Sequence, residues 1–120
     1  MKKILVVDDE LPFLQLVGDW LKGKYQVLKA VNGEEGYRIA LAEKPDLIVL
    51  DILMPKVDGY QVLRELKWNA QTQEIPVVML TAVGQTASII EAKELGVSDY
   101  LIKPVKLEDL SAMIRKYVWR

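Results

Sequence analysis

Leu47-Ile48-Val49-Leu50-Asp51 is the stretch on which the reading of the fold turns. Four aliphatic residues run without a break and stop at a carboxylate. A strand with one wet face alternates apolar and polar residues, whereas an unbroken run belongs to a strand covered on both faces, as in a parallel sheet. The same signature recurs upstream at Ile4-Leu5-Val6-Val7 and downstream at Val77-Val78-Met79-Leu80. Two weaker extended stretches flank these. Residues 25–30 mix Gln26 and Lys29 into an apolar run, and Asp99-Tyr100-Leu101-Ile102 is short. Edge strands are covered less completely, so both are read as edges.

Helical spacing fills the gaps. Phe13, Leu16/Val17 and Trp20/Leu21 form one stripe, with Pro12 suited to a first turn. Gly36/Tyr37 and Ala40/Leu41 form a second, and Val62/Leu63 with Leu66, behind Asp58-Gly59, a third. Leu107, Leu110, Met113/Ile114 and Tyr117/Val118 form the last. Between Gly84 and Gly96 the pattern is weakest, with Ile90 and Leu95 as its main anchors. A sparsely anchored helix is a candidate moving part. Strand and helix thus alternate five times, which predicts an α/β fold. Its form is a (βα)5 doubly wound, five-stranded parallel sheet of order 2-1-3-4-5, flavodoxin-like.

Composition narrows the chemistry. The 120 residues hold 16 Lys+Arg against 17 Asp+Glu, so no basic field draws the chain to nucleic acid or anionic lipid. With no Cys and no His, thiolate chemistry, imidazole metal ligands and a histidine general base are excluded. Carboxylates, hydroxyls and lysines remain. The first apolar run meets Asp8 after four residues, too soon for a signal peptide, and a membrane span needs about 20. A cytoplasmic location is expected.

The strands end in chemistry. Asp8-Asp9-Glu10 follows the first, Asp51 closes the third, Thr81-Ala82 the fourth and Lys103-Pro104 the fifth. A parallel sheet gathers all of these on one edge. Taken singly they are bland: an acidic run is usually solvated or favours a helix N-terminus, and a lone Thr or Lys is usually a turn or surface residue. Taken together they are not. Two carboxylates about 4 Å apart repel by about 4 kcal/mol at an effective dielectric near 20. A hard divalent cation such as Mg²⁺ would relieve Asp8, Asp9 and Asp51 and leave room for phosphate oxygens. With Lys103 as an ammonium and Thr81 as a hydroxyl, the set suits a phosphoryl group, with Asp51 as nucleophile.

These motifs, in order, resemble the response-regulator receiver domains. They are residues 4–10, residues 46–55 from Asp46 to Met54-Pro55, Asp58-Gly59, residues 76–82, and residues 96–104 from Gly96 to Lys103-Pro104. The resemblance implies one receiver domain over residues 1–120 with no output domain, a signalling switch rather than an enzyme with a separate substrate. It implies Asp51 as phosphoacceptor, with Asp9, Asp51 and the Leu53 backbone carbonyl on Mg²⁺ (or Mn²⁺) and Asp8 acting largely through metal-bound water. It further implies Lys103 as the ion-pair partner of Asp51, Thr81 as switch hydroxyl, Tyr100 as the aromatic that follows it, and a cis Lys103-Pro104 bond. The implied donor is the phosphohistidine of a sensor histidine kinase or histidine phosphotransfer protein. The implied output is a downstream protein docking on the helix 4, strand 5 and helix 5 face, without direct contact to nucleic acid or membrane. On that face Ile89, Lys106 and Trp119 are read as solvated or core rather than as contacts.

Two departures from the family pattern carry expectations. Leu53 and Val83 stand where the family often orients water, and neither side chain donates or accepts, so a long-lived phosphoryl state is expected. Met113 stands where a dimer-forming Arg is common in the winged-helix transcription factors. A monomer or a weak phosphorylation-dependent dimer is therefore expected. Leu53 also argues against an aspartate-nucleophile phosphatase, which needs a second acid there. Asp8-Asp9-Glu10 argues against a flavodoxin-like cofactor site, whose phosphate would be repelled.

Overall fold

A computed structural model describes residues 1–52, 59–82, 84 and 86–119. In chain order it holds β1 (Lys3–Val7), α1 (Leu11–Leu21), β2 (Gln26–Ala30), α2 (Gly33–Glu43) and β3 (Leu47–Asp51). Then come α3 (Gly59–Trp68), β4 (Val77–Thr81), α4 (Thr86–Glu94), β5 (Asp99–Ile102) and α5 (Leu107–Val118). All four strand pairings are parallel and the order is β2-β1-β3-β4-β5, as the apolar runs predict. Every residue of β3 and β4 is buried, whereas β2 and β5 are partly exposed.

Side-chain alternation splits the core into two layers. Leu5, Val7, Ile48, Leu50, Val77 and Met79 face Ala40 of α2, the Val62/Leu63/Leu66 stripe of α3 and Ala92 of α4. Ile4, Val6, Leu47, Val49, Val78 and Leu80 face Leu14, Val17 and Leu21 of α1 and Leu110 and Ile114 of α5. Each fully buried aliphatic side chain contributes roughly 1.5–3 kcal/mol, so both layers are needed to hold the sheet.

Local chemistry sets the helix ends. The Asn32 side chain accepts the Glu35 N–H at 2.8 Å and caps α2, while Glu34 and Glu35 complement its dipole. Gly96, at φ +96°, closes α4, with the Val97 N–H reaching the Ala92 carbonyl at 3.0 Å. At Gly59 a Cβ would lie 2.4 Å from the Ile52 Cα. Only glycine lets α3 begin this close to the residue after Asp51.

Three expectations are corrected. In α1 the buried stripe is Leu14, Val17 and Leu21, while Leu16 and Trp20 are exposed. This helix is apolar at several phases, and the sheet selects the one that meets β1. In α4 Ile90 is exposed; the helix is anchored by buried Ala92 with partly buried Ile89 and Leu95. Trp119 turns to the start of β2, not to the α4–β5–α5 face. Its indole N–H donates to the Tyr25 hydroxyl at 2.9 Å, and Lys2 lies 5.6 Å over its ring.

β5 is tied to α5 through Asp99, whose carboxylate accepts the Tyr117 hydroxyl at 2.8 Å, the Lys116 ammonium at 3.2 Å and the Tyr100 N–H at 2.9 Å. Burial alone would push this carboxyl up, but those three donors outweigh it and hold it below the usual range. A depressed carboxylate stabilises the fold above its unfolded pKa near 4, and that stability is lost as pH falls through the folded value. Asp99→Asn is therefore expected to cost about 1 kcal/mol at pH 7. In urea titrations the gap from the parent should close below about pH 4. A gap that persists there would rule out this linkage.

Candidate functional site

The same alternation that builds the core aims the site. Asp8 continues the parity of Ile4 and Val6, Asp51 that of Leu47 and Val49, and Lys103 that of Leu101, so all three are directed to the α1/α5 side. Backbone bonds extend the ladder just far enough to fix them. The Asp8 N–H donates to the Ala30 carbonyl at 3.0 Å, and the Lys103 N–H to the Thr81 carbonyl at 2.7 Å. β1 lies between β2 and β3, so the chain reverses its direction of growth there, and Asp8 and Asp51 sit at the carboxyl ends of β1 and β3.

The Lys103 ammonium is the hub. It donates to Asp8 Oδ2 at 2.9 Å, to Glu10 Oε1 at 2.7 Å and to Asp51 Oδ2 at 3.1 Å. It also lies 5.5 Å from the centre of the Phe13 ring. Asp8 is fully buried and Asp51 is 2% exposed, whereas Asp9 and Glu10 face solvent. Burial pushes the Asp8 carboxyl above the usual range; the Glu10 N–H at 2.9 Å and Lys103 offset this only in part, and Asp51 adds to it. Burial works against the Lys103 charge, yet its bonds to Glu10, Asp8 and Asp51 prevail and raise its pKa. The ammonium stays charged throughout the neutral range.

One lysine does not balance this many acids. Asp8, Asp9 and Asp51 each offer a carboxylate oxygen within 4.8 Å of the others. Three hard oxygen donors in a net-negative cluster fit a divalent cation such as Mg²⁺. Thr81 closes β4, is fully buried, and its hydroxyl has no hydrogen-bond partner among the described residues. Buried hydroxyls are nearly always bonded, so this one is poised for an acceptor. Tyr100 is half-buried on the α3/α4 side, packed with the layer that holds Met79. The Lys103-Pro104 bond is cis. A cleft of about 520 Å³ adjoins the cluster, lined by Glu10, Pro12, Phe13, Leu16, Lys103, Pro104 and Val105.

The structure thus brings together Asp8, Asp9, Asp51 and Lys103 from three strands, with Thr81 at the end of β4; Tyr100 is the second residue of β5, level with Met79 and back from the site edge. Leu53, Asp58 and Val83 lie outside the described residues. In the sequence Glu10 is only the last acid of a three-residue acidic run. No spacing signal marks it, because its contact with Lys103 spans the sheet.

An open α/β sheet thus carries an acid trio and a lysine at its switch point, a donor set that fits a divalent cation. The chain belongs to the response regulator receiver domain family, whose model matches residues 4–115. It is 44% identical to "Probable transcriptional regulator ycf27" of Cyanophora paradoxa, over 99% of this chain and 49% of that protein. It is 41% identical to "Protein PilH" of Pseudomonas aeruginosa, over 92% of each. The structure of the chemotaxis protein CheY4 of Vibrio cholerae superposes with a TM-score of 0.91 at 29% identity, covering 98% of both chains. The chain spans about half the length of several curated relatives it matches, and nearly all of PilH. Among the described residues no helix is long and apolar enough to cross a membrane.

Proposed function

We propose that Asp51 is the phosphoacceptor of a two-component phosphorelay, taking a phosphoryl group from the phosphohistidine of a sensor histidine kinase or histidine phosphotransfer protein. The observation that carries this reading is a nearly buried carboxylate bonded to Lys103 at 3.1 Å inside an acid trio able to hold a cation. An Asp51 carboxylate oxygen attacks phosphorus. The bond to the donor imidazole breaks, its electron pair stays on nitrogen, and that nitrogen takes up a proton. The product is an acyl phosphate on Asp51. Asp8, Asp9, Asp51 and the Leu53 carbonyl would hold Mg²⁺ or Mn²⁺, which when bound would neutralise charge at the phosphoryl oxygens.

Lys103 then pairs with the phosphoryl group as a fixed point charge. Thr81 donates its hydroxyl, unpartnered among the described residues, to a phosphoryl oxygen, and Tyr100 follows into the space that this movement opens. The rearrangement alters the α4–β5–α5 face, on which a downstream protein docks. Shifting such a switch from 1:99 to 99:1 takes about 5.5 kcal/mol of differential interaction, which a charge-assisted pair and a bound cation together can supply. Leu53 and Val83 leave the phosphoryl group long-lived. Residues 1–120 act as one cytoplasmic receiver domain, a monomer or weak phosphorylation-dependent dimer that makes no direct contact with nucleic acid or membrane.

Metal removal tests the reading. With acetyl phosphate and Mg²⁺, intact-mass measurement is expected to register one added phosphoryl group per chain, and excess EDTA should abolish it. Uptake undiminished by EDTA would count against the cation's role.

A further inference from the structure

Glu10 lies outside the acid trio, yet its carboxylate makes the shortest of the three contacts to Lys103. It occupies the N-cap position of α1 but its side chain forms no capping bond. The Glu10 carbonyl already accepts the Phe13 and Leu14 N–H groups, leaving the side chain free to reach across the cleft. We infer that Glu10 is a positioning residue, the exchangeable carboxylate that holds the Lys103 ammonium at rest and releases it when Asp51 carries a phosphoryl group. Glu10 thereby opposes the phosphorylated state. The inference rests on the phosphoacceptor reading above and assigns the regulation of that site.

A lysine ammonium has three N–H groups, and Asp8, Glu10 and Asp51 take one each. When Asp51 carries the phosphoryl group, the N–H it accepts passes to one phosphoryl oxygen, and a second phosphoryl oxygen is served only if Asp8 or Glu10 gives up its own. Asp8 is fully buried, so losing its ammonium would strand a charge away from water. The Glu10 side chain is 62% exposed, and water replaces its partner at little cost. The Phe13 ring lies 5.5 Å from the ammonium in its resting position. Of the two carboxylates left unphosphorylated, Glu10 is the one the ammonium leaves.

The test compares the parent with Glu10→Gln, an isosteric change at an exposed position. Beryllofluoride, which stands in for the phosphoryl group, is titrated by calorimetry in Mg²⁺. The side-chain ¹⁵N resonance of Lys103, assigned by its loss in Lys103→Arg, is followed without metal. The variant is expected to bind beryllofluoride about threefold more tightly. Its metal-free Lys103 resonance should already be displaced toward the position seen in the beryllofluoride-bound parent. Unchanged or weaker binding overturns the inference. So does tighter binding with an unmoved Lys103 resonance, which would mark a general field effect. A parent that takes no beryllofluoride overturns the phosphoacceptor reading and the inference with it, whereas a parent that takes it beside an unaltered variant overturns the inference alone.

Discussion

Lys103→Met is expected to slow phosphoryl uptake from acetyl phosphate on the order of 10²-fold, the usual effect of removing one donor from a preorganised anion site. The same variant is expected to lose about 2 kcal/mol of folding stability in EDTA. Both effects follow from one contact set. The Lys103 side chain is 21% exposed, and it is the counter-charge for Asp8 and Asp51, whose side chains are 0% and 3% exposed. Stranding a fully buried charge costs roughly 3–5 kcal/mol. Here Glu10 relaxes into water and Asp8, already raised by burial, can take up a proton, so the smaller figure applies. Mg²⁺ should restore part of the stability by supplying the missing positive charge, but not the lost rate, because the phosphoryl group still lacks its ammonium. Urea denaturation with and without Mg²⁺, beside single-turnover uptake, checks this. A variant as stable as the parent in EDTA would mean that Lys103 does not balance the buried acids.

Burial on both faces leaves an unbroken apolar run, so β1, β3 and β4 are legible as central strands, and the order 2-1-3-4-5 fits them with β2 and β5 at the edges. The site acids are legible for the same reason: a carboxylate ending such a run has to sit at the sheet's carboxyl edge. Amphipathic phase is harder to read when a helix is apolar on more than one side. In α1, Leu14 competes with Leu16 and Trp20, and only the contact with β1 decides between them. The α4 stripe depends on a buried alanine, which carries little hydrophobic signal, so exposed Ile90 draws the eye. Contacts between distant segments are invisible to periodicity. Trp119 bonds Tyr25 across 94 residues and Glu10 bonds Lys103 across 93.

Asp51→Asn is expected to have the largest effect of all. It keeps the shape of the side chain but removes the nucleophile, since an amide oxygen cannot form an acyl phosphate by this route. It also takes one charge out of a net-negative cluster, so the variant should fold at least as stably as the parent in EDTA, and lost uptake would then report chemistry rather than unfolding. The decisive measurement is intact mass after both proteins are incubated with acetyl phosphate and Mg²⁺ until the parent is saturated. The account predicts one added phosphoryl group on the parent and none on Asp51→Asn. Equal uptake by the folded variant would contradict it.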